Sequence, residues 1–147
     1  FNGRVWTTDK DGIIPDLLAA EITGQETGKN PAQLHQEQVD RFGESWYSRI
    51  DTPTTLEQKQ KFAKLDASDV TATKLGGEPI EQILTKAPGN DAPIGGIKVV
   101  TKDNWFAARP SGTENIYKVY AESFVSPETL DSVLTEATEV VDKALGE

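Results

Sequence analysis

The chain has 147 residues, enough for one full domain or for a small domain with part of another. Its formal net charge of −9 disfavours nucleic acid as a partner, and no apolar run approaches the roughly 20 residues that span a bilayer. The absence of cysteine excludes disulfides, thiol nucleophiles and cysteine-based zinc sites. We therefore expect a cytoplasmic protein that binds neither nucleic acid nor membranes.

The first third of the chain predicts two helices and a short strand. Apolar residues recur at intervals of three and four over residues 13–22, which indicates a helix that ends near Gly24. Asn30 is followed by a proline, as is typical of a helix start, so a second helix is predicted from there to about Phe42. The aromatic segment 45–50 is strand-like. Taken alone, these elements have little to pack against.

A linker and a more self-contained region follow. Residues 51–55 predict a linker, in which Thr54 or Thr55 caps a helix that runs to about Leu65. Residues 80–84 are ambiguous. Apolar patterning and turn residues predict strands at 70–75, 97–101, 105–109 and 116–124.

The last helix has the strongest local signals. Ser126 is a suitable N-cap, Pro127 stands in the first turn, and apolar residues from Leu130 to Ala144 line one face. Strands followed by a covering helix predict an α+β fold, a small antiparallel or mixed sheet covered by helices.

A phosphate-binding pattern lies between the last two predicted strands. The apolar strand 105–108 leads directly into Arg109, and the chain then turns sharply. Ser111 and Thr113 supply hydroxyl groups, and Gly112 allows successive backbone N–H groups to converge. An arginine fork with hydroxyl and backbone donors is the environment that binds a phosphate dianion.

The plain alternative is a proline–glycine turn whose arginine forms a surface ion pair. Two details favour the phosphate site. Arg109 directly follows a strand, so the sheet holds it in place. Lys118, on the next predicted strand, can reach back over the loop as a second cation.

The segment 7–12 precedes the first helix and contains two aspartates. Asp9 and Asp11 have the spacing of a calcium loop, but Leu18 stands where such a loop requires a bidentate glutamate. A capping turn led by Asp11 explains the pattern. The functional alternative is that Lys10 is held at the helix start, facing a cleft.

Five stretches keep the same order as in a known superfamily: residues 6–14, 17–22, 87–90, 94–98 and 105–114. Together they resemble the α-D-phosphohexomutases, and among these the bacterial phosphoglucomutases. The arginine-led loop indicates the superfamily. The Thr-Asp-Lys-Asp-Gly block favours the glucose-phosphate branch over phosphomannomutase or phosphoglucosamine mutase.

Members of this superfamily have four domains around a cleft. The resemblance implies that residues 1–51 are the C-terminal remnant of domain 3, a helical piece of an α/β domain. Residues 52–66 would be a linker and helix, and residues 67–147 the phosphate-binding domain 4. We therefore expect the chain to begin in the middle of a larger gene product.

By resemblance, the whole enzyme interconverts glucose 1-phosphate and glucose 6-phosphate. It does so through a phosphoserine and glucose 1,6-bisphosphate, with Mg²⁺ beside the serine. The fourth domain holds the phosphate that is not being transferred. Lys10 matches a lysine that faces the sugar phosphate and is a candidate acid or base. The residues that match the phosphate loop and its second cation are Arg109, Ser111, Gly112, Thr113 and Lys118.

The sequence lacks three motifs of the superfamily: the Ser-His-Asn nucleophile, the Asp-x-Asp-x-Asp magnesium loop and the Glu-Glu-Ser sugar loop. We therefore expect this chain alone to bind no metal or cofactor and to have no mutase activity. Its expected partners are hexose phosphates and the remaining domains of the same polypeptide. Two alternatives stay open, a mutase of another hexose phosphate and a free-standing phosphate-binding module.

Overall fold

The computed structural model describes residues 11–25, 28–62 and 64–146. The chain divides into two compact units, Phe1–Glu44 and Ser45–Glu147. Among the described residues, no helix has the length and apolar character needed to cross a membrane.

The first unit contains the two predicted helices, α1 (Ile13–Gly24) and α2 (Pro31–Phe42). Helix α2 begins with a reciprocal capping box, because the Asn30 side chain accepts from the Gln33 backbone N–H at 3.0 Å and the Gln33 side chain accepts from the Asn30 N–H at 2.9 Å. Neither helix buries a side chain among the described residues. On α1, Ile13, Leu17 and Leu18 are exposed, whereas Ile14 and Ile22 are partly buried.

The second unit is built on an antiparallel sheet. Its strands are β1 (Trp46–Pro53), β2 (Lys74–Leu75), β3 (Glu78–Pro79), β4 (Gln82–Lys86), β5 (Pro93–Val100), β6 (Asn104–Pro110) and β7 (Ile116–Ser123). Within the described part of the chain, five of them form a sheet in the order β1-β7-β6-β5-β4, and β2 pairs with β3 in a separate hairpin.

Two helices cover one face of this sheet, which confirms the predicted α+β fold. They are α3 (Leu56–Phe62) and α4 (Pro127–Leu145), with a short 3-10 turn at Ala67–Asp69 between them in sequence. Helix α4 begins as predicted, since the Ser126 hydroxyl oxygen accepts from the Thr129 N–H at 3.1 Å. The core between helices and sheet contains Phe62, Phe106, Val119, Val133, Ala137 and Val141, all at most 1% exposed.

Strand β1 corrects the expected domain boundary. It continues through residues 51–53, which the sequence suggested were part of a linker, and pairs with β7 from Trp46↔Ser123 to Pro53↔Ile116. An expected boundary at residues 51 and 52 therefore falls inside a strand, and the two compact units divide before Ser45. Local composition does not reveal this pairing, because the partner strand lies far away in the sequence.

The predicted strand at 70–75 is also mostly wrong. Only Lys74–Leu75 is a strand, and it is preceded by the 3-10 turn and irregular backbone. Val70 and Leu75 are buried, so the apolar pattern of this segment reflects burial, and only its last two residues pair with another strand, β3. The ambiguous segment 80–84 contributes to strand β4.

A buried polar cluster joins the β2–β3 hairpin to the turn between β5 and β6. One carboxylate oxygen of Glu78 accepts from the Thr101 hydroxyl at 2.6 Å, the Asp103 N–H at 2.9 Å and the Asn104 side-chain amide at 3.0 Å. These donors, the Thr101 hydroxyl above all, hold the pKa of Glu78 below its usual value, although partial burial opposes them.

Candidate phosphate-binding site

The loop between β6 and β7, residues 111–115, is fixed at both ends by backbone hydrogen bonds. The Ser111 N–H donates to the Ile116 carbonyl at 2.9 Å and closes the loop. The Thr54 N–H donates to the Asn115 carbonyl, also at 2.9 Å, and ties the loop to the start of α3. The loop therefore has a defined position at one end of the sheet.

Two cations lie side by side at the base of this loop. Arg109 on β6 is directly opposite Lys118 on β7, and Lys118 is in turn opposite Asp51 on β1. Residues in register on neighbouring strands project to the same face of the sheet. The adjacent Ala108 and Val119 point into the core, so the charged row lies on the face that α3 and α4 leave uncovered. Like charges directly opposite each other repel, and this position therefore favours an anion.

The two cations differ in their partners. The Lys118 ammonium lies 3.7 Å from carboxylate oxygens of both Asp51 and Glu114. The Arg109 guanidinium stands 5.9 Å from the centre of the Tyr120 ring and forms no ion pair with any carboxylate of the described residues. Arg109 therefore keeps its hydrogen-bonding edge available for an external anion.

Backbone donors converge inside the loop on the Ser111 hydroxyl oxygen. It accepts from the Thr113 N–H at 3.4 Å and from the Glu114 N–H at 3.2 Å. A hydroxyl has one proton of its own, so Ser111 can still donate to a ligand. Thr113 is exposed in the same loop.

The backbone at Gly112 has a conformation that other residues can also adopt. Its φ is not positive, and a Cβ added there would have no atom within 4 Å. The converging N–H groups belong to the two following residues, so their geometry does not require a glycine at this position. The missing side chain instead leaves the surface of the loop uncovered.

Sequence reasoning missed the role of Gly96 on β5. The pairing of Ile97 with Ala108 places Gly96 beside Arg109, and a Cβ on Gly96 would lie only 2.9 Å from the Arg109 Cβ. The absence of a side chain lets β5 approach β6 at this point. The available signal was the pair Gly95-Gly96 directly before the predicted strand 97–101, because glycine in a strand often marks a close approach of backbones.

Two predictions, a role for Lys10 and the absence of a bound metal, are not tested by the geometry of the loop. Lys10 lies outside the described residues. Within residues 11–25, 28–62 and 64–146, no three acidic or imidazole side chains cluster in a way that could hold a metal ion.

The sequence model of a protein family described as "Phosphoglucomutase/phosphomannomutase, C-terminal domain" matches residues 55–140 of the chain. The chain belongs to this family. The match includes the loop 111–115 and both of its cations, and it confirms the resemblance to the phosphohexomutases.

The chain is similar to several individual proteins, of which two show the range of similarity. A phosphoglucomutase from Komagataeibacter xylinus is 52% identical over 139 residues, which cover 95% of this chain and 25% of the relative. The chain thus spans about a quarter of the length of that relative. Among solved structures, the open form of pp63/parafusin, a phosphoglucomutase from Paramecium, is 17% identical, covers 87% of this chain and 25% of its own, and has a TM-score of 0.39.

Proposed function

We propose that Arg109, Lys118 and the loop 111–115 bind the phosphate group of a hexose phosphate. The observation that carries this proposal is the Arg109 guanidinium, which lies beside a second cation and lacks a carboxylate partner among the described residues. A guanidinium forms bidentate hydrogen bonds to two oxygens of a phosphate, and an ammonium adds a point charge. Two converging backbone N–H groups supply further donors.

We infer that the whole protein interconverts glucose 1-phosphate and glucose 6-phosphate through a phosphoserine and glucose 1,6-bisphosphate. The relative from Komagataeibacter xylinus, which is named a phosphoglucomutase, supports glucose as the sugar, while the family also includes phosphomannomutases. In this proposal the loop anchors the phosphate that is not being transferred. Its donors are directed at phosphate and are indifferent to the sugar, so it can hold either end of a bisphosphate.

The rest of the chain fits the same proposal. Helices α1 and α2 would belong to domain 3, whose remaining part would cover the exposed Ile13 and Leu17. The described residues provide no ligand set for Mg²⁺, so we assign no step to the metal in this part of the enzyme. Inactivity of the isolated chain, a role for Lys10 and a cytoplasmic location stay predictions.

A backbone NMR titration of this chain with glucose 1-phosphate tests the phosphate site, with free glucose as the control ligand. We expect amide shifts at Ser111, Gly112, Thr113 and Lys118 with the phosphate ester and none with glucose. The absence of shifts at millimolar ester would contradict the assignment.

Two matched variants sharpen this test. Arg109→Lys keeps the charge but loses the bidentate hydrogen bonds. We therefore expect its affinity for glucose 1-phosphate to be about tenfold weaker. Arg41→Lys is the control, because Arg41 lies on helix α2 of the first unit, where its guanidinium stands 4.8 Å from the centre of the Phe42 ring. Equal affinities of the two variants would show that Arg109 does not hold the phosphate.

A further inference from the structure

Oxygen atoms of the loop itself occupy part of the candidate site. The Ser111 hydroxyl oxygen receives the two backbone N–H groups that a phosphate oxygen would use. The Glu114 carboxylate lies 3.7 Å from the Lys118 ammonium, where the charge of a phosphate would be placed. The Thr113 and Glu114 N–H groups and the Lys118 ammonium thus have partners in the absence of a ligand.

We propose that Glu114 is an internal competitor that a phosphate group must displace from Lys118. The proposal rests on the proposed function, because it assumes that phosphate binds beside Lys118. A site whose binding-competent state is only partly populated has a lower apparent affinity by that fraction. Glu114 therefore weakens phosphate binding and favours release of the phosphate. Such release is required of a site that must hold first one end and then the other end of a bisphosphate.

The two carboxylates around Lys118 have different freedom to move. Glu114 belongs to the loop and its side chain is 61% exposed, so it can turn into solvent. Asp51 lies on β1 in register with Lys118, its side chain is only 34% exposed, and it also binds Arg49 at 2.9 Å. Asp51 therefore keeps Lys118 in place while Glu114 exchanges with the ligand.

The exchange is favourable for a phosphate ester because of its charge. A carboxylate carries one negative charge, whereas a phosphate monoester carries about −1.5 to −2 at neutral pH. The ester also reaches Arg109, to which the Glu114 carboxylate forms no ion pair. A bound phosphate thus interacts with both Arg109 and Lys118, whereas the Glu114 carboxylate interacts with Lys118 alone.

The test is an NMR titration of this chain and its variants with glucose 1-phosphate. Because an exposed ion pair is worth less than about 1 kcal/mol, we expect Glu114→Gln to bind the ester about two- to fivefold more tightly than the wild type. The control is Asp131→Asn on α4, which removes one exposed negative charge from the helix on the other side of the sheet. Its affinity should equal that of the wild type.

A double-mutant cycle shows whether Glu114 acts through Lys118. In a Lys118→Met background, Glu114→Gln should give no gain in affinity beyond that of the Asp131 control. An equal gain in both backgrounds would mean general charge repulsion and would overturn the displacement. Unchanged or weaker binding by Glu114→Gln, with normal binding by the wild type, would overturn this proposal and leave the phosphate site standing. If neither protein shows shifts in the loop, the proposed function itself fails.

Discussion

The close approach of β5 and β6 at Gly96 determines where Arg109 lies, and the change of Gly96 to alanine tests this directly. Gly96 is buried and its φ is not positive, so alanine is compatible with its backbone conformation. The added methyl group would, however, press against the Ala108 carbonyl oxygen and lie 2.9 Å from the Arg109 Cβ and 3.0 Å from its Cα. The cost of the substitution therefore comes from contact with β6.

The size of the effect follows from these distances. Ordinary contacts of a Cβ atom begin at 3.4 Å, so β6 must move by about 0.5 Å at Arg109, and further at the Ala108 carbonyl. Overpacking of this kind costs about 1–3 kcal/mol of the free energy of unfolding. Since a misplacement of about 1 Å can reduce the function of a site about 100-fold, half that shift is expected to weaken phosphate binding on the order of tenfold.

Two measurements follow the two effects. Urea denaturation, monitored by tryptophan fluorescence, should show a midpoint lower by about 1 M for Gly96→Ala. The NMR titration with glucose 1-phosphate should show the weaker affinity in the folded variant. Gly89→Ala is the matched control, because a Cβ at Gly89 meets no atom within 4 Å and its φ is not positive.

One result would refute this reasoning. If Gly96→Ala and Gly89→Ala unfold at the same urea concentration and both bind glucose 1-phosphate like the wild type, the close approach of the strands does not position Arg109.

The remaining predictions concern stability. Glu78→Gln should lower the free energy of unfolding by about 1–2 kcal/mol at neutral pH, because it weakens three charge-assisted hydrogen bonds. The folded-state pKa of Glu78 lies below its ordinary value of 4.5. The advantage of the wild type is therefore fully present above that value and disappears as the pH falls through the lowered pKa. Urea curves of both proteins along a pH series check this, and a difference that persists in strong acid would contradict it. Ser126→Ala should cost about 1 kcal/mol, because the Thr129 N–H loses its cap at the start of α4. Ser126→Gly, which costs a few tenths of that, is the comparison in thermal unfolding, and equal melting temperatures of Ser126→Ala and the wild type would contradict the prediction.

Elements whose signals are local were predicted well. Helix α2 has its N-cap and proline within two residues of each other, and α4 has its cap and its apolar face within one continuous segment. Strands β6 and β7 are bounded by turn residues close in sequence. The Arg109-to-Thr113 pattern was visible for the same reason, since the arginine, both hydroxyl groups and the glycine lie within five consecutive residues.

Tertiary structure decided everything that depends on a distant partner. The sequence alone could not show that β1 pairs with β7, and Asp51 therefore looked like part of a linker, when in fact it is the counterion of Lys118. The contact of Gly96 with Arg109 depends on the register of two strands, which a shift of one residue would remove. Short-range patterns thus determined the helices, the main strands and the donor groups that the loop carries, whereas strand order and register decided which charges meet there.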